Sequence, residues 1–163
     1  MTFAAERPRG TKAEIYRDLC LQARGLFERE RDAIANAANL AALIFGGLED
    51  VNWAGFYFLK GGELVLGPFQ GNPACVRIPI GKGVCGTAAQ RKEAVTVPDV
   101  ERFPGHIACD AASRSEVVVP LLRSGRLLGV LDIDSPKRKR FNDEDRSGLE
   151  TLAGLWVEAS DHP

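Results

Sequence analysis

Two hydrophobic segments in the C-terminal third of the chain constrain its fold most strongly. Residues 117–122 and 127–134 are both rich in valine and leucine, and the short polar sequence Arg-Ser-Gly-Arg separates them. Two such segments around a glycine-containing turn predict an antiparallel strand pair. Because side chains alternate between the two faces of a strand, Asp132 and Asp134 should share one face with Leu128. The pair therefore indicates an antiparallel sheet that carries two carboxylates side by side.

The rest of the chain adds strands in the middle and helices at both ends. Runs of aromatic and β-branched residues predict four further strands: 51–59, 64–66, 75–80 and 94–97. The second of these is expected to end before a break at 68–71. Apolar residues at helical spacing predict two helices before the first strand, one of them capped by Thr11, and a closing helix capped by Asn142 or Asp143. The sequence thus predicts an α+β fold, with an antiparallel sheet of about six strands and the N-terminal and C-terminal helices packed on one face.

Length, charge and hydrophobic patterning narrow the classes of protein. A chain of 163 residues fits one domain, 1–163, in which residues 1–10 lack periodicity and are expected to form a loose leader. A net charge of −1 gives no broad positive field for nucleic acid or a membrane surface, so the basic segment 136–140 is expected to be a solvated loop. The N-terminus lacks the apolar region of a signal peptide, and no segment approaches the ~20 apolar residues of a membrane span. We therefore expect a cytoplasmic protein that binds neither nucleic acid nor membrane.

Four cysteines carry most of the chemistry that the sequence offers. Cys20 lies in the apolar stripe of the first predicted helix, where a small buried side chain is expected. Cys75, Cys85 and Cys109 lie instead among glycine, proline and aspartate within residues 71–116. A cytosolic chain of this length does not need a structural disulfide framework. Since the spacing contains no Cys-x-x-Cys pair, we expect no metal, and nothing indicates another cofactor.

The three clustered cysteines are candidates for thiol redox chemistry. A cysteine reacts as its thiolate, which helix N-termini and nearby cations favour and apolar surroundings oppose. Cys85 follows Lys82 at the start of a short predicted helix, and Cys109, which lies near His106 and Arg114, competes with it. A nucleophilic cysteine and a resolving cysteine can convert a sulfenic acid into a disulfide. Hydrolysis by a Cys-His pair is the alternative, but it gives no reason for three cysteines in one segment.

The first predicted strand offers an aromatic wall for a pocket. Alternation places Trp53, Gly55 and Tyr57 on one face of this strand. The glycine between the two rings predicts a slot that a small apolar group could enter. The alternative is that both rings cover a second hydrophobic core. The sequence leaves both interpretations open.

Seven segments of the chain resemble the free methionine-(R)-sulfoxide reductases, which are GAF-domain proteins. They are NWAGFY at 52–57, LGPFQG at 66–71, PAC at 73–75, GKGVCG at 81–86, FPGHIACD at 103–110, SRSE at 113–116 and LDIDSP at 131–136. The resemblance implies a GAF fold and an enzyme that reduces free L-methionine (R)-sulfoxide to methionine, with electrons from thioredoxin. It also suggests a homodimer. A non-catalytic GAF sensor of a small molecule or of redox state is the alternative, and the expectation of a single domain without an output module favours the enzyme.

The resemblance implies roles for eight residues. Cys109 looks like the nucleophile that attacks the sulfoxide sulfur, and Cys75 like the resolving thiol. Cys85 would join or replace Cys75 in disulfide exchange, and either Cys75–Cys109 or Cys85–Cys109 could be the resting disulfide. Trp53 and Tyr57 would hold the S-methyl group. The ammonium and sulfoxide ends of the substrate would be held by three carboxylates: Glu116, Asp132 and Asp134.

The carboxylates suggest how a free amino acid is selected and protonated. Peptide-bound methionine sulfoxide lacks an ammonium, so buried paired carboxylates would favour the free amino acid. Glu116, partly protonated beside a like-charged neighbour, would donate a proton to the sulfoxide oxygen. A two-residue turn with a regular ladder would face Glu116 away from Asp132. We therefore expect a three-residue loop, with Gly125 in the left-handed region and a bulge, that brings Glu116 opposite Asp132.

Overall fold

The helices begin where side chains cap free backbone amides. Thr11 Oγ1 accepts a hydrogen bond from Glu14 N at 3.2 Å, and Asn142 forms a capping box with Asp145, so both predicted caps are present. In this computed structural model, which describes residues 3–162, the helices are α1 Lys12–Phe27, α2 Ala33–Gly47, α3 Gly83–Arg91 and α4 Asp143–Ala159. None of the described helices is long and apolar enough to cross a membrane.

The strands form one antiparallel sheet. They are β1 Trp53–Lys60, β2 Glu63–Gly71, β3 Arg77–Pro79, β4 Val95–Val97, β5 Ser115–Arg123 and β6 Arg126–Ser135. Their order across the sheet is β3-β2-β1-β6-β5-β4. Pro79 lies on the edge strand β3, as predicted, because an edge position does not require its missing N–H. The predicted α+β fold with about six strands is confirmed.

Helices α1, α2 and α4 pack on one face of the sheet and form the larger core. Trp156 of α4 packs against Phe56 and Phe58 of β1, with ring centroids 5.3 and 5.6 Å apart. Cys20 is buried in this core, as the sequence predicts. Each large apolar side chain buried in this way contributes about 1.5–3 kcal/mol. The opposite face is covered by α3 and the long connections, which enclose a second, smaller core.

The hairpin between β5 and β6 turns in two residues. Arg123 pairs with Arg126, and Ser124 and Gly125 between them have φ angles of 51° and 78°. Left-handed conformations at both turn positions match the twist of the flanking strands, which makes this a favoured two-residue hairpin. The left-handed conformation predicted for Gly125 is confirmed, but the predicted three-residue loop is wrong.

A bulge in β6 places Glu116 on the same face of the sheet as Asp132 and Asp134. Leu128 is an extra residue in the ladder close to the turn, so the register shifts by one position beyond it. Glu116 consequently pairs with Asp134, not with Asp132 as predicted, and shares one face with both. Leu128 itself packs against the larger core, so simple alternation placed it on the wrong face.

Two segments are more regular or better anchored than the sequence predicts. Strand β2 continues through Pro68 to Gly71, because a shift in register opposite β1 accommodates the proline. The predicted break at 68–71 is therefore wrong.

In the N-terminal leader, Pro8 is buried and Gln22 Nε2 donates a hydrogen bond to the Glu6 carbonyl oxygen at 2.9 Å. Around these residues the leader is held to α1, so it is not loose there.

Candidate functional site

Sequence-distant residues converge in one cavity on the α3 side of the sheet. The β1–β6 ladder pairs Trp53 with Asp134, and the β5–β6 ladder pairs Glu116 with the same aspartate. Seven of the eight predicted site residues line the cavity: Trp53, Tyr57, Cys85, Cys109, Glu116, Asp132 and Asp134. The eighth, Cys75, is bonded to Cys109. The structure thus brings the whole predicted set together.

A disulfide joins Cys75 and Cys109 at the cavity wall. The two cysteines are 34 positions apart in sequence, and their Cα atoms lie 5.4 Å apart. Each belongs to a connecting segment, Cys75 to the one between β2 and β3 and Cys109 to the one before β5. Both side chains are half-buried, and the neighbouring Val76 is exposed. The bond therefore ties two loops across the site at a place that solvent can reach.

Three carboxylates lie at the floor of the cavity, and all are buried. Burial raises the pKa of Glu116 to about 8, and the charge of Asp134 contributes, although a hydrogen bond with Asp132 opposes the shift. Burial also raises the pKa of Asp132 well above its usual range, with the charge of Glu116 next in importance. The same applies to Asp134, whose pKa is raised by burial and then by the charge of Asp132. At neutral pH the cluster therefore holds protons that isolated carboxylates would have lost.

Cys85 is a buried free thiol within this cluster. Its Sγ lies 4.0 Å from Oε1 of Glu116. Burial raises the pKa of the Cys85 thiol well above its usual value, and the charges of Asp132 and Glu116 raise it further. The expectation that the helix start and Lys82 would favour its thiolate is therefore wrong, because burial and the neighbouring carboxylates outweigh both.

The aromatic residues of β1 form a wall, but not the predicted slot. Trp53 and Tyr57 stack with ring centroids 5.9 Å apart, and Phe69 of β2 stacks on Trp53 at 5.3 Å. A Cβ atom built on Gly55 would lie 2.3 Å from Cβ of Phe69, so this side chain fills the space between the strands. The space beside Gly55 is occupied by the Phe69 side chain of the same chain. The predicted slot is therefore not available to a ligand, and that prediction is wrong. The alternative of a second core is correct, although both rings also line the cavity.

Two hydrogen bonds join this wall to the segment that carries Cys75. The Tyr57 hydroxyl donates to the Cys75 carbonyl oxygen at 2.9 Å, and Trp53 Nε1 donates to the Asn72 carbonyl oxygen at 3.0 Å. Since both rings are nearly fully buried, the donors are fixed in place. The aromatic pair therefore positions one half of the disulfide as well as lining the cavity.

Four further residues contribute to the site beyond the eight whose roles the resemblance implies. Asn52 Nδ2 donates to Asp110 Oδ2 and to Ser113 Oγ, each at 3.2 Å, and so fastens the loop of Cys109 to the start of β1. His106 Nε2 lies 3.7 Å from Oε2 of Glu116. Burial lowers the pKa of His106, which favours its neutral form. All four lie in segments of the resemblance, which is the signal that could have identified them.

The cavity between these groups is small. Its volume is about 40 Å³, enough for a few water molecules but too little for an amino acid. Atoms of Cys85, Glu116 and Asp132 lie within 4.8 Å of one another, a spacing that a metal ion could bridge. In the disulfide form, then, the site admits water or an ion, and a larger ligand requires the loops to open.

Comparison with known proteins gives consistent results. A family profile described as GAF domain matches residues 28–159. The free methionine-R-sulfoxide reductase of Escherichia coli K12 is 53% identical over 141 residues, which cover 86% of each chain. The structure of the free methionine-R-sulfoxide reductase from Neisseria meningitidis in complex with its substrate matches with a TM-score of 0.92 and 42% identity, over 96% of this chain and 94% of that one. A Burkholderia vietnamiensis protein described as a GAF sensor matches with a TM-score of 0.90 and 61% identity, over 93% of this chain and 96% of that one. In each case the likeness extends over most of the chain.

Proposed function

The chain belongs to the GAF-domain free methionine-R-sulfoxide reductases, and from this premise we propose that it reduces free L-methionine (R)-sulfoxide to L-methionine. The observation that carries the proposal is the Cys75–Cys109 disulfide at the wall of a cavity floored by three buried carboxylates. A sensor that only binds a ligand has no use for a bond between these two loops. An enzyme that ends each cycle with a disulfide requires it.

Cys109 is the nucleophile in this proposal, because it lines the cavity while Cys75 does not. Its sulfur attacks the sulfoxide sulfur, and the oxygen passes to Cys109, which leaves methionine and a sulfenic acid. The Cys75 thiol then attacks that sulfenic acid, forms the disulfide and releases the oxygen as water. A dithiol reductant returns both cysteines to thiols. One substrate molecule thus consumes two electrons and two protons.

The carboxylates account for the choice of a free amino acid. An ammonium group that enters the cavity meets Asp132 and Asp134, and its charge favours their ionised forms. A peptide nitrogen carries no such charge, so it gains nothing from the same groups. Trp53 and Tyr57 supply the apolar wall for the S-methyl group. The buried cluster is thereby a recognition site for a cation attached to an apolar side chain.

Glu116 is the proton donor in this proposal. Its pKa of about 8 means that it carries a proton at neutral pH. A protonated carboxyl beside the reacting centre can donate to the sulfoxide oxygen as that atom leaves sulfur. A Glu116→Gln variant should therefore lose turnover, and full turnover by this variant would remove Glu116 from the role.

Thioredoxin is the reductant, and the enzyme works as a cytoplasmic homodimer with thiols as its only redox groups. Val76, beside Cys75, is 60% exposed, which offers an apolar contact to a protein reductant.

Cys85 has a different role from the other two cysteines, because its buried thiol lies among the carboxylates. Cys85 therefore takes part in disulfide exchange only when the loops that carry Cys75 and Cys109 open.

Turnover of defined substrates tests the proposal. The purified chain is incubated with the separate R and S epimers of methionine sulfoxide and with N-acetylated R epimer, under dithiothreitol or a thioredoxin system. We expect methionine from the free R epimer alone. Cys109→Ser should form none, whereas Cys75→Ser should form one methionine per chain with thioredoxin and then slow sharply, because the sulfenic acid on Cys109 can be resolved only by the buried Cys85.

The matched control is Cys20→Ala, which alters a free cysteine in the helix-covered core, on the other side of the sheet from the cavity, and should turn over normally. Absence of methionine from the parent chain with every reductant would refute the reductase. Binding of a small ligand without turnover would instead support a GAF sensor.

A further inference from the structure

We propose that Cys85, Glu116 and Asp132 form a binding site for a thiophilic divalent cation such as Zn²⁺, which would act as an inhibitor and not as a cofactor. The ligand atoms of the three side chains lie within 4.8 Å of one another, on three different elements. Their relative positions are fixed by the sheet and by α3. Neither Cys75 nor Cys109 belongs to this site, so the proposed metal ligands and the disulfide are formed by different residues.

The distances suit zinc. Zinc binds thiolate sulfur at about 2.3 Å and carboxylate oxygen at about 2.0–2.2 Å, in a tetrahedral arrangement that separates neighbouring ligand atoms by about 3.4–3.6 Å. The Sγ atom of Cys85 lies 4.0 Å from Oε1 of Glu116. A movement of a few tenths of an ångström would bring this pair to the tetrahedral spacing. Since all three ligand atoms lie within 4.8 Å of one another, no pair has to close by more than about 1.4 Å. The ion replaces the thiol proton of Cys85 and the proton that Glu116 carries at neutral pH, so binding forms metal–sulfur and metal–oxygen bonds and releases both protons.

An unpaired oxygen points independently to a missing partner. Oδ1 of Asp132 is buried and accepts no hydrogen bond from any described residue, and the side chain as a whole is 6% exposed. A buried carboxylate oxygen without a partner is unfavourable, and buried polar atoms are nearly always paired. Because Asp132 lines the cavity, this oxygen is available to an ion that enters there.

The charges around the cluster also favour a cation. Within residues 3–162, His106 Nε2 is the nearest basic group to Glu116, and no lysine or arginine forms an ion pair with Glu116, Asp132 or Asp134. A bound Zn²⁺ would supply the missing positive charge. His106 Nε2, 3.7 Å from Oε2 of Glu116, is placed to serve as a fourth ligand, since a neutral imidazole is a common ligand for this ion.

The ligand set and the size of the cavity select the type of ion. Calcium prefers six to eight oxygen ligands and magnesium keeps several water molecules, so a site with sulfur and few oxygens suits neither. A volume of about 40 Å³ admits an ion with one or two water molecules. If the proposed reductase function holds, the ion would occupy carboxylates that the substrate ammonium needs, and zinc would compete with substrate.

Cobalt titration of the disulfide form tests the site without relying on activity. In this form Cys75 and Cys109 cannot ligate, so among the described cysteines only Cys85 and Cys20 remain as thiols. We expect one equivalent of Co²⁺ to produce a thiolate-to-cobalt charge-transfer band in the near ultraviolet, and Zn²⁺ to abolish it. Cys85→Ser should lose the band, and Asp132→Asn should weaken binding at least ~10-fold, the loss of about 1.4 kcal/mol. Cys20→Ala should keep the band.

The proposal is overturned if saturating Co²⁺ gives no band, if Cys85→Ser retains it, or if Cys20→Ala abolishes it. Circular dichroism of each variant separates loss of a ligand from loss of the fold, and Asp132→Asn gives a second reading if Cys85→Ser does not fold. Cobalt binding by a chain that does not form methionine would leave the metal site standing and refute only the reductase. Turnover without cobalt binding would refute the metal site and leave the reductase standing.

Discussion

A single buried carboxylate and a cluster of three, on opposite sides of the sheet, differ in how their charge is balanced. On the helix-covered side, Asp145 is 1% exposed and is surrounded by donors. Lys12 and Arg140 form ion pairs with it, Tyr16 donates a hydrogen bond at 2.8 Å, and the Asn142 amide donates another at 2.9 Å. Burial alone would raise its pKa, but the donors outweigh burial and lower it. Asp145 is therefore a charged group that the fold fully satisfies.

On the other side, Glu116, Asp132 and Asp134 are buried with few donors. Their pKa values are all raised, by burial first and by one another's charge second. A folded protein gains nothing from such a cluster, because each charge that forms there is desolvated and repelled. Asp145 therefore stabilises the fold, whereas the cluster lowers stability and is kept for the ligand it binds.

The largest expected effect is the loss of Asp145. Asp145→Ala leaves Lys12, Arg140 and Tyr16 without their shared partner and removes the polar contacts of this residue between α1 and α4. Breaking a buried pair from one side costs about 3–5 kcal/mol. Urea unfolding should show that loss in the free energy of unfolding.

Asp143→Ala is the matched control for that measurement, since Asp143 lies exposed in the same first turn of α4. It should cost no more than about 1 kcal/mol, the size of a helix-dipole interaction. Equal losses from the two substitutions would mean that Asp145 acts through the helix end alone.

A smaller effect is expected from Asp134→Asn, and on activity instead of stability. The proposed contact with the substrate ammonium is a charged hydrogen bond, worth about 1.5–3 kcal/mol. We therefore expect kcat/KM for free methionine (R)-sulfoxide to fall about 10- to 150-fold, and the preference over the N-acetylated compound to fall with it. Asp145→Asn, compared at a temperature where it is folded, should keep the preference. If both variants kept it, the cluster would not be the ammonium site.

Local patterns in the sequence were enough to predict the fold class and the helix caps, and the family resemblance of short motifs implied that the site residues converge. Thr11 and Asn142 are caps recognisable from neighbouring residues, and proline in a short strand indicates an edge. The three cysteine motifs were sufficiently specific to indicate the family. These signals depend on residues close together in the chain.

The features that the sequence did not reveal depend on distant pairing. Leu127 and Leu128 are equally apolar, so alternation could not show that Leu128 is the bulged residue that sets the face of Glu116. The Gly55 slot is filled by Phe69 because of the β1–β2 register. Asp145 resembled an ordinary acidic residue of a first helical turn, and its partner Lys12 lies 133 positions away. Such contacts become visible only once the strands and helices are assembled.

The most direct test of the comparison is the free energy of unfolding of the ligand-free disulfide form as a function of pH, for the parent chain and for Glu116→Gln. The pKa of Glu116 is raised from 4.5 to about 8 in the folded state, so its contribution to stability is complete below 4.5 and is lost as the pH rises to about 8. Asp145, with its lowered pKa, contributes the opposite trend, which is confined to pH below 3.8. Across the window from 4.5 to about 8, the parent chain should lose up to about 1.4 kcal/mol per pH unit relative to Glu116→Gln. Parallel curves for the two proteins, or a parent curve that rises relative to the variant, would contradict the account.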